Sequence, residues 1–328
     1  LDPVPDCYES IMEQRKIIER DAAVNVHPYA SVTVGEKGEK LSDFDALSPL
    51  CIAFSDDGRG VQSEDMMRAA MIKAKSLGKI IAAHCEDNSL LNGGYIHDGE
   101  YARLHGHRGI CSESEWRPIE RDIRLAKETG CAYHVCHISC RESVELIRRA
   151  KADGVDITCE TAPHYMMMTD ELLRGRDANF RMNPPLREEE DCEAIIEGIF
   201  DGTIDAIVTD HAPHAPEEKE DFLRAPNGIV GLETSFAAAC TVLVHQQGMG
   251  LMELVRLMTT NPANIMRLPG GTLREGSLAD IVLFDPNLTW TVEADKLHSK
   301  SKNTPFDKMK LTGRVVCTIL GGKVVYEL

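Results

Sequence analysis

The sequence is poor in aromatic and basic residues, and it has no long apolar run. Of its 328 residues, 5% are aromatic, and 36 lysines and arginines stand against 53 aspartates and glutamates, for a formal net charge of -17. An acidic chain repels phosphate backbones and anionic lipids, and a membrane helix needs about 20 consecutive apolar residues. The sequence therefore predicts no nucleic-acid partner and no membrane partner, which leaves a small-molecule substrate.

The sequence also lacks paired cysteines and an amino-terminal signal. Its 11 cysteines are scattered without any Cys-x-x-Cys pair, and a chain of 328 residues needs no disulfides to hold its core. We therefore expect reduced thiols and a cytoplasmic protein. The chain begins with Leu1 rather than methionine, and no charged-then-apolar segment follows, so we interpret this start as a cut.

Short apolar, β-branched runs alternate with segments of helical period in the first three quarters of the chain. This pattern is typical of a parallel sheet covered by helices. The predicted strands are the six nearly continuous apolar runs at 22–27, 51–54, 79–83, 132–137, 155–160 and 204–209. Capping-box spacings, Ser112 with Glu115 and Ser139 with Glu142, predict helix starts after two of these runs.

The pattern changes in the last quarter of the chain. Strand-like runs at 279–285, 313–320 and 323–327 follow one another without helices between them. We predict a barrel-type α/β domain over residues 1–268 and a small β module of the sandwich type over residues 269–328. Three strands alone have little core, so the module is expected to pair with further strands.

Polar residues at the ends of the predicted strands carry the functional signal. Five successive strand ends supply an imidazole, a carboxylate or both, in the segments 55–58, 84–87, 134–137, 160–164 and 209–214. A single such residue is usually a helix cap or a hydrogen-bonded structural group. Together they lie at the carboxyl ends of parallel strands, where one pocket must form. Imidazole and carboxylate groups are the ligands of a catalytic zinc or a similar divalent ion.

Other histidines are interpreted as structural. His105 and His107 form an HxH pair, but in a Gly- and Arg-rich stretch that favours a surface loop. His134 and His137 lie three apart on one strand and point to opposite faces, so only His137 is chosen as a ligand. His27 closes the first predicted strand without a carboxylate neighbour and is expected to be structural or to support the site from behind.

Several of these segments together resemble the dihydroorotase family of the amidohydrolase superfamily. The matching motifs are Asp-Asp-Gly at 56–58, Ala-His-Cys-Glu-Asp at 83–87, His-Val-Cys-His-Ile-Ser at 134–139, Met-Asn-Pro-Pro-Leu-Arg at 182–187, Thr-Asp-His-Ala-Pro-His at 209–214, Gly-Leu-Glu-Thr at 231–234 and Ser-Lys-Asn-Thr-Pro-Phe-Asp at 301–307. The resemblance spans essentially the whole chain and implies a metal-dependent (β/α)8 TIM barrel with a small C-terminal β module.

The resemblance also implies roles for individual residues. The metal ligands would be Asp57, His84, His137 and Asp210, with Asp210 as the catalytic acid and base. The substrate would contact the residues that match the family's substrate-binding motifs, namely Asn183, His214, Asn227 and Gly228. The family usually has Pro-Phe-Gly where this chain has Pro-Asn-Gly at 226–228, which leaves the local packing open while a backbone contact would persist.

Some parts of the family pattern have no counterpart in these 328 residues. The family's HxH ligand pair on the first barrel strand, the arginine after it and the asparagine on the second strand are all absent, and we count six barrel strands where eight are needed. We therefore expect the first two barrel strands to lie upstream of Leu1. The chain alone, short of two ligands for its zinc ions, is expected to be inactive.

The implied activity is the reversible cyclisation of N-carbamoyl-L-aspartate to dihydroorotate in pyrimidine synthesis, with two zinc ions per complete site. A homo-oligomer or an association with aspartate transcarbamoylase is the implied partnership. Two alternatives stay open. Hydantoinases, dihydropyrimidinases and allantoinases would share barrel and metals, but they resemble chains with a carboxylated lysine on the fourth strand, where this chain has Asp57. The second alternative is a non-catalytic scaffold that associates with aspartate transcarbamoylase.

Overall fold

The computed structural model describes residues 2–328 and shows an α/β fold. The α-helices are α1 (Tyr8–Asp21), α2 (Phe44–Leu47), α3 (Glu64–Ser76), α4 (Glu100–His105), α5 (Glu113–Thr129), α6 (Arg141–Ala152), α7 (His164–Met167), α8 (Glu189–Phe200), α9 (Ser235–Ala239), α10 (Leu251–Val255) and α11 (Asn261–Ile265). The strands are β1 (Ala53–Phe54), β2 (Ile80–Ala83), β3 (Ile96–His97), β4 (Gly109–Ile110), β5 (Tyr133–Val135), β6 (Ile157–Thr161), β7 (Ala206–Ile207), β8 (Ile281–Thr291), β9 (Lys310–Leu320) and β10 (Lys323–Glu327). No helix in this part of the chain is both long and apolar enough to cross a membrane.

The main sheet is parallel, with strand order β1-β2-β5-β6-β7. Its strands lie within or overlap five of the six predicted runs, so those five predictions are confirmed. The strands are short, and the helices between them cover the sheet with one large apolar core. Because every strand runs in the same direction, the residues that follow them emerge at one edge of the sheet.

The prediction of a strand at 22–27 is wrong. Helix α1 ends at Asp21 and is followed by exposed chain, in which Val24 and Val26 are 48% and 45% exposed. The segment that extends the sheet lies a few residues later, where Ala30 forms a parallel bridge with Phe54. The β-branched run at 22–27 misled the prediction because β propensity reflects burial against neighbours, which this segment does not have.

Of the two helix starts predicted from capping-box spacings, the one at Ser112 is confirmed, because Ser112 is the N-cap residue of α5, and the one at Ser139 is a residue early. Ser112 forms no side-chain cap on α5, and the residue that caps α6 is Cys140 rather than Ser139. The side chains of Glu115 and Ser139 instead bind each other in the interior, where both are buried. The apolar stripe of α3 packs in the core, where Met67 and Met71 are almost fully buried.

The last quarter forms an antiparallel sheet of order β10-β9-β8. The three predicted strand-like runs are thereby confirmed as neighbours in a separate sheet. This sheet contacts the rest of the fold through β9, where Thr312 N donates to Thr241 Oγ1 at 2.8 Å. A second apolar cluster packs Phe306 and Leu311 against residues of the α/β part of the chain, such as Met182 and Ala237. The boundary at residue 268 stays a prediction.

Candidate metal centre and substrate loop

Three of the predicted ligands, Asp57, His84 and His137, form one cluster. Their candidate ligand atoms all lie within 4.8 Å of one another. His84 Nδ1 is 3.1 Å from His137 Nε2, and Asp57 Oδ1 lies 4.0 Å and 3.9 Å from these two nitrogens. The two imidazoles are buried, whereas the Asp57 side chain is 71% exposed. The cluster is therefore shielded from solvent at the two imidazoles and open to solvent at Asp57.

The parallel strands bring these residues together. His84 directly follows β2, His137 lies two residues after β5, and Asp57 lies three residues after β1, so all three emerge at the carboxyl edge of neighbouring strands. His137 has a backbone φ of 35°, in the left-handed region that non-glycine residues seldom adopt. Such strained residues are concentrated at functional sites, where the surrounding structure holds them in place.

The cluster fits a divalent metal ion. Two ligands on one tetrahedral zinc ion, each with a metal–nitrogen distance near 2 Å, lie about 3.3 Å apart, close to the separation of the two imidazole nitrogens. The outward nitrogens, His84 Nε2 and His137 Nδ1, are buried and have no hydrogen-bond partner in the described part of the chain. The facing nitrogens, His84 Nδ1 and His137 Nε2, are the ones that would bind the ion, because they lie close together and close to Asp57 Oδ1.

The charges in the cluster shift the pKa values of its members. Burial alone would lower the pKa of His137, but Asp57 and Asp210 raise it to about 9. The same contact with His137 holds the pKa of Asp57 far below its usual range. An acidic environment that favours a positive charge between two imidazoles is also one that attracts a cation.

Asp210, the fourth predicted ligand, lies beyond β7 at the same edge of the sheet. Burial raises the pKa of its carboxyl group, while the charge of His137 lowers it and that of Asp57 raises it. These mutual effects place Asp210 within electrostatic reach of the cluster, although the three-residue group does not include it. Like His137, Asp210 has a left-handed backbone, with a φ of 47°.

Glu86 is a further residue at the site, although the predicted ligands and substrate contacts do not include it. It lies two residues beyond His84, is 9% exposed, and has Oε2 3.9 Å from His84 Nε2. Its other oxygen accepts a hydrogen bond of 2.8 Å from Asn183 Nδ2. Glu86 thereby connects a predicted metal ligand to a predicted substrate contact. The signal was available, because residues i and i+2 along an extended chain share a face.

The other three predicted substrate contacts lie together, because His214 contacts the loop of residues 226–228, which we call the substrate loop. His214 Nε2 donates to the backbone oxygen of Asn227 at 2.8 Å. The Gly228 N–H donates to the Arg181 carbonyl at 3.0 Å. Asn227 stands where the family usually has phenylalanine. Its side chain is held by a hydrogen bond, in which Oδ1 accepts from Arg181 Nη2 at 3.3 Å.

The remaining histidines lie outside this cluster. His134 contacts Glu160 instead, and its Nε2 lies 3.0 Å from Glu160 Oε2. His107 binds the Tyr95 hydroxyl, and His105 is exposed, so the predicted surface position of His105 is confirmed, although it is the last residue of α4 rather than part of a loop. His27 is exposed, so the proposal that it supports the site from behind is wrong. The cause is the same as for the misplaced strand at 22–27.

Removal of one imidazole is expected to weaken metal binding. We expect His137→Ala to lower the affinity for Co²⁺ by about 100-fold or more, because even residues that only orient a ligand contribute 10- to 100-fold. Visible absorbance during a Co²⁺ titration measures this affinity. His105→Ala, which removes an exposed imidazole, serves as the matched control and should bind as the parent does. Equal affinity in the His137 variant would contradict a metal role for the cluster.

Comparison with known proteins agrees with this geometry. Residues 2–143 match the family model described as "Dihydro-orotase-like", and residues 200–326 match the model of the "Amidohydrolase family". The chain is 49% identical over 327 residues to a dihydroorotase of Bacillus pumilus, covering 99% of this chain and 76% of that protein. The chain belongs to the dihydroorotase family. A dihydroorotase of Fusobacterium nucleatum is 46% identical over the same length and is covered to 77%.

Solved structures of related amidohydrolases share the fold. An L-hydantoinase (dihydropyrimidinase) of Arthrobacter aurescens superposes with a TM-score of 0.87 at 26% identity, over 99% of this chain and 76% of that chain. A D-hydantoinase superposes with a TM-score of 0.85 at 22% identity, over 98% of this chain and 74% of that chain. Membership of the dihydroorotase family makes this protein an amidohydrolase that acts on the C–N bond of a cyclic amide, with Asp57, His84 and His137 as its candidate metal group.

Proposed function

We propose that the protein catalyses the reversible cyclisation of N-carbamoyl-L-aspartate to L-dihydroorotate in pyrimidine synthesis. The observation that carries this proposal is the cluster of Asp57, His84 and His137 at one sheet edge in a chain of the dihydroorotase family. We further propose that the fold is that of a (β/α)8 barrel and that the metal is zinc, two ions per complete site. Cytoplasmic location and association into homo-oligomers or with aspartate transcarbamoylase are proposals from the same resemblance.

The side chains of this protein have distinct tasks in such a reaction. Asp57, His84, His137 and Asp210 would hold the ions, and a bound divalent ion supplies Lewis acidity and makes water more acidic. Asp210 would carry a proton between water and the ring nitrogen, because a buried carboxyl group can accept and release a proton in place. His214 and the substrate loop would orient the substrate, while Glu86 fixes Asn183.

An assay on the whole natural protein, loaded with zinc, tests this function. We expect the kcat/KM for L-dihydroorotate to be at least about 100-fold higher than that for hydantoin or dihydrouracil. Hydantoin and dihydrouracil have no carboxylate group, so the polar side chains that bind the carboxylate of dihydroorotate would be left unpaired. Asp57 favours this outcome, because the hydantoinase alternative implies a carboxylated lysine at that strand end, where this chain has Asp57. Faster turnover of hydantoin would assign the protein to the hydantoinases, and no turnover of any cyclic amide would support the scaffold alternative.

A further inference from the structure

Two side chains from outside the substrate loop bind the carbonyl group of Gly228. Lys219 Nζ donates to it at 3.1 Å, and Asn303 Nδ2 donates to it at 3.1 Å. Lys219 lies in a 3-10 turn after His214, whereas Asn303 lies far along the chain, shortly before β9. We call this pair of residues the Gly228 clamp. Neither residue has a role in the function proposed above.

Lys219 binds only backbone carbonyl groups. Besides Gly228, its ammonium group donates to Pro226 at 2.8 Å and to Arg181 at 3.5 Å. Burial, together with the charge of Arg181, lowers the pKa of Lys219 to about 8. A lysine on an open surface would avoid this electrostatic cost. The ammonium group of Lys219 thus has three backbone carbonyl partners, two in the substrate loop and one at Arg181.

Asn303 connects the substrate loop to the segment that carries His214. It is 5% exposed, and its Nδ2 also donates to the Ala212 carbonyl at 3.0 Å. Its Oδ1 accepts from the backbone N–H of His214 at 3.2 Å. The side chain of Asn303 therefore uses both ends of its amide, and two of its three backbone partners belong to the predicted substrate contacts His214 and Gly228.

Gly228 explains why such a clamp is needed. Its φ is 127°, a conformation that glycine adopts freely and that other residues avoid. A Cβ atom at this position would lie 2.5 Å from Ala212 Cβ and 3.1 Å from His214 Nε2. The close approach of His214 therefore requires glycine, and glycine alone leaves the loop with many conformations. External hydrogen bonds are the means available to select one of them.

We propose that Lys219 and Asn303 are positioning residues that hold Asn227 and Gly228 against His214 and so set the affinity for substrate. This inference rests on the proposed function, because it takes these three residues as the substrate contacts. The clamp does not touch Asp57, His84 or His137. We therefore expect its loss to act on substrate binding and to leave the metal cluster and the chemical step nearly unchanged.

The test compares Lys219→Met with Lys302→Met. Lys302 is a matched control, because it is also half-buried and also donates to a backbone carbonyl, that of Leu297, at 2.6 Å. In the whole natural protein we expect Lys219→Met to raise KM for L-dihydroorotate by about tenfold or more, since the loss of about one net hydrogen bond is worth roughly this factor. The kcat should stay within about threefold of the parent value.

Amide hydrogen exchange provides a readout that does not depend on activity. The Gly228 and Val230 N–H groups are both hydrogen-bonded, to Arg181 and Asn303 carbonyls, at 3.0 Å each. We expect their exchange to accelerate about tenfold in Lys219→Met and not in Lys302→Met. Asn303→Asp, which keeps the acceptor for His214 but loses both donated bonds, should give the same acceleration and serves if the first variant folds poorly.

The kinetic and exchange measurements together decide whether Lys219 and Asn303 position the substrate loop. Exchange and KM that equal those of Lys302→Met would overturn the clamp. A kcat that falls as much as kcat/KM, or faster exchange throughout the chain, would also overturn it, because that pattern indicates loss of fold or of chemistry. If the parent protein turns over no L-dihydroorotate, the proposed function fails, and unchanged exchange at Gly228 would then separately reject the clamp, while faster exchange there would retain its structural part.

Discussion

Asp210→Asn is expected to lower kcat/KM for L-dihydroorotate by at least about 100-fold in the whole natural protein, because positioned proton transfer contributes 10²- to 10⁴-fold. Asparagine has nearly the volume of aspartate but cannot take up and release a proton. Asp210 also lies within electrostatic reach of His137 and Asp57, so the substitution removes a negative charge from the metal cluster. Steady-state kinetics at saturating zinc separate the loss of proton transfer from weaker metal binding.

Asp87→Asn is the matched control for this prediction. Asp87 also follows a strand of the parallel sheet, three residues after His84, but its carboxylate accepts from Ser89 N at 2.9 Å and caps a short helical turn. Asparagine caps such turns as well as aspartate does, so this variant should retain activity within about twofold. Activity of the Asp210 variant within about tenfold of the parent would contradict the role of Asp210 as acid and base.

Arg187→Met is expected to lower the free energy of unfolding by about 3–5 kcal/mol at neutral pH, because it removes one partner of a buried ion pair. Arg187 and Glu115 are 2% and 3% exposed, and Arg187 Nη2 lies 3.0 Å from Glu115 Oε2. Methionine fills much of the same volume but leaves the carboxylate buried without its cation. Urea unfolding of the chain measures the difference.

The pH dependence gives this variant a recognisable signature. Burial would raise the pKa of Glu115, but Arg187 and the hydrogen bonds from Ser139 lower it below its ordinary value of 4.5. In the parent, the stability from this group is therefore present above that value and is lost as the pH falls through the lower folded pKa. Without Arg187, burial raises the pKa instead, so protonation relieves the variant and its deficit should shrink as the pH falls toward 5.

Arg149→Met is the control for the ion pair. Arg149 is a helical arginine with a side chain that is 73% exposed, and it pairs with Glu145 at 2.6 Å. An exposed pair contributes about 0.5 kcal/mol or less, so this variant should unfold nearly as the parent does. A deficit of the Arg187 variant that is equally small, or that does not change between pH 7 and pH 5, would contradict the account of a buried charge.

The buried network around Glu115 also supports the metal centre. Glu115 accepts from Ser139 N at 2.9 Å, and Arg187 Nε donates to Ser139 Oγ at 3.0 Å. Ser139 lies two residues beyond His137, so the network holds the turn in which His137 has its left-handed backbone. Arg187 also donates to His97 Nδ1 at 3.1 Å, and burial together with this arginine lowers the pKa of His97 to about 3. His97 is therefore a neutral structural residue.

The sequence by itself determined the elements that depend on local pattern. Apolar runs predicted five parallel strands and three C-terminal ones, because burial on both faces or on one face requires those residue types. The parallel direction of the strands then predicted that Asp57, His84 and His137 would meet, since the carboxyl ends of parallel strands share one edge. A residue two positions past a ligand, Glu86, could have been predicted from the same periodicity.

Only the tertiary structure decided which polar groups face each other. The run at 22–27 has the composition of a strand, yet the sheet is extended by Ala30, because that segment and not the earlier one is covered. Lys219 and Asn303 meet at Gly228, although they are far apart in the sequence. Glu115 was predicted to pair with Ser112 in a capping box, and Arg187 ends one of the matching motifs, but nothing in their spacing shows that each is the other's partner. Hydrogen bonds and ion pairs depend on direction and distance within a few tenths of an ångström, and the packing of distant segments sets both.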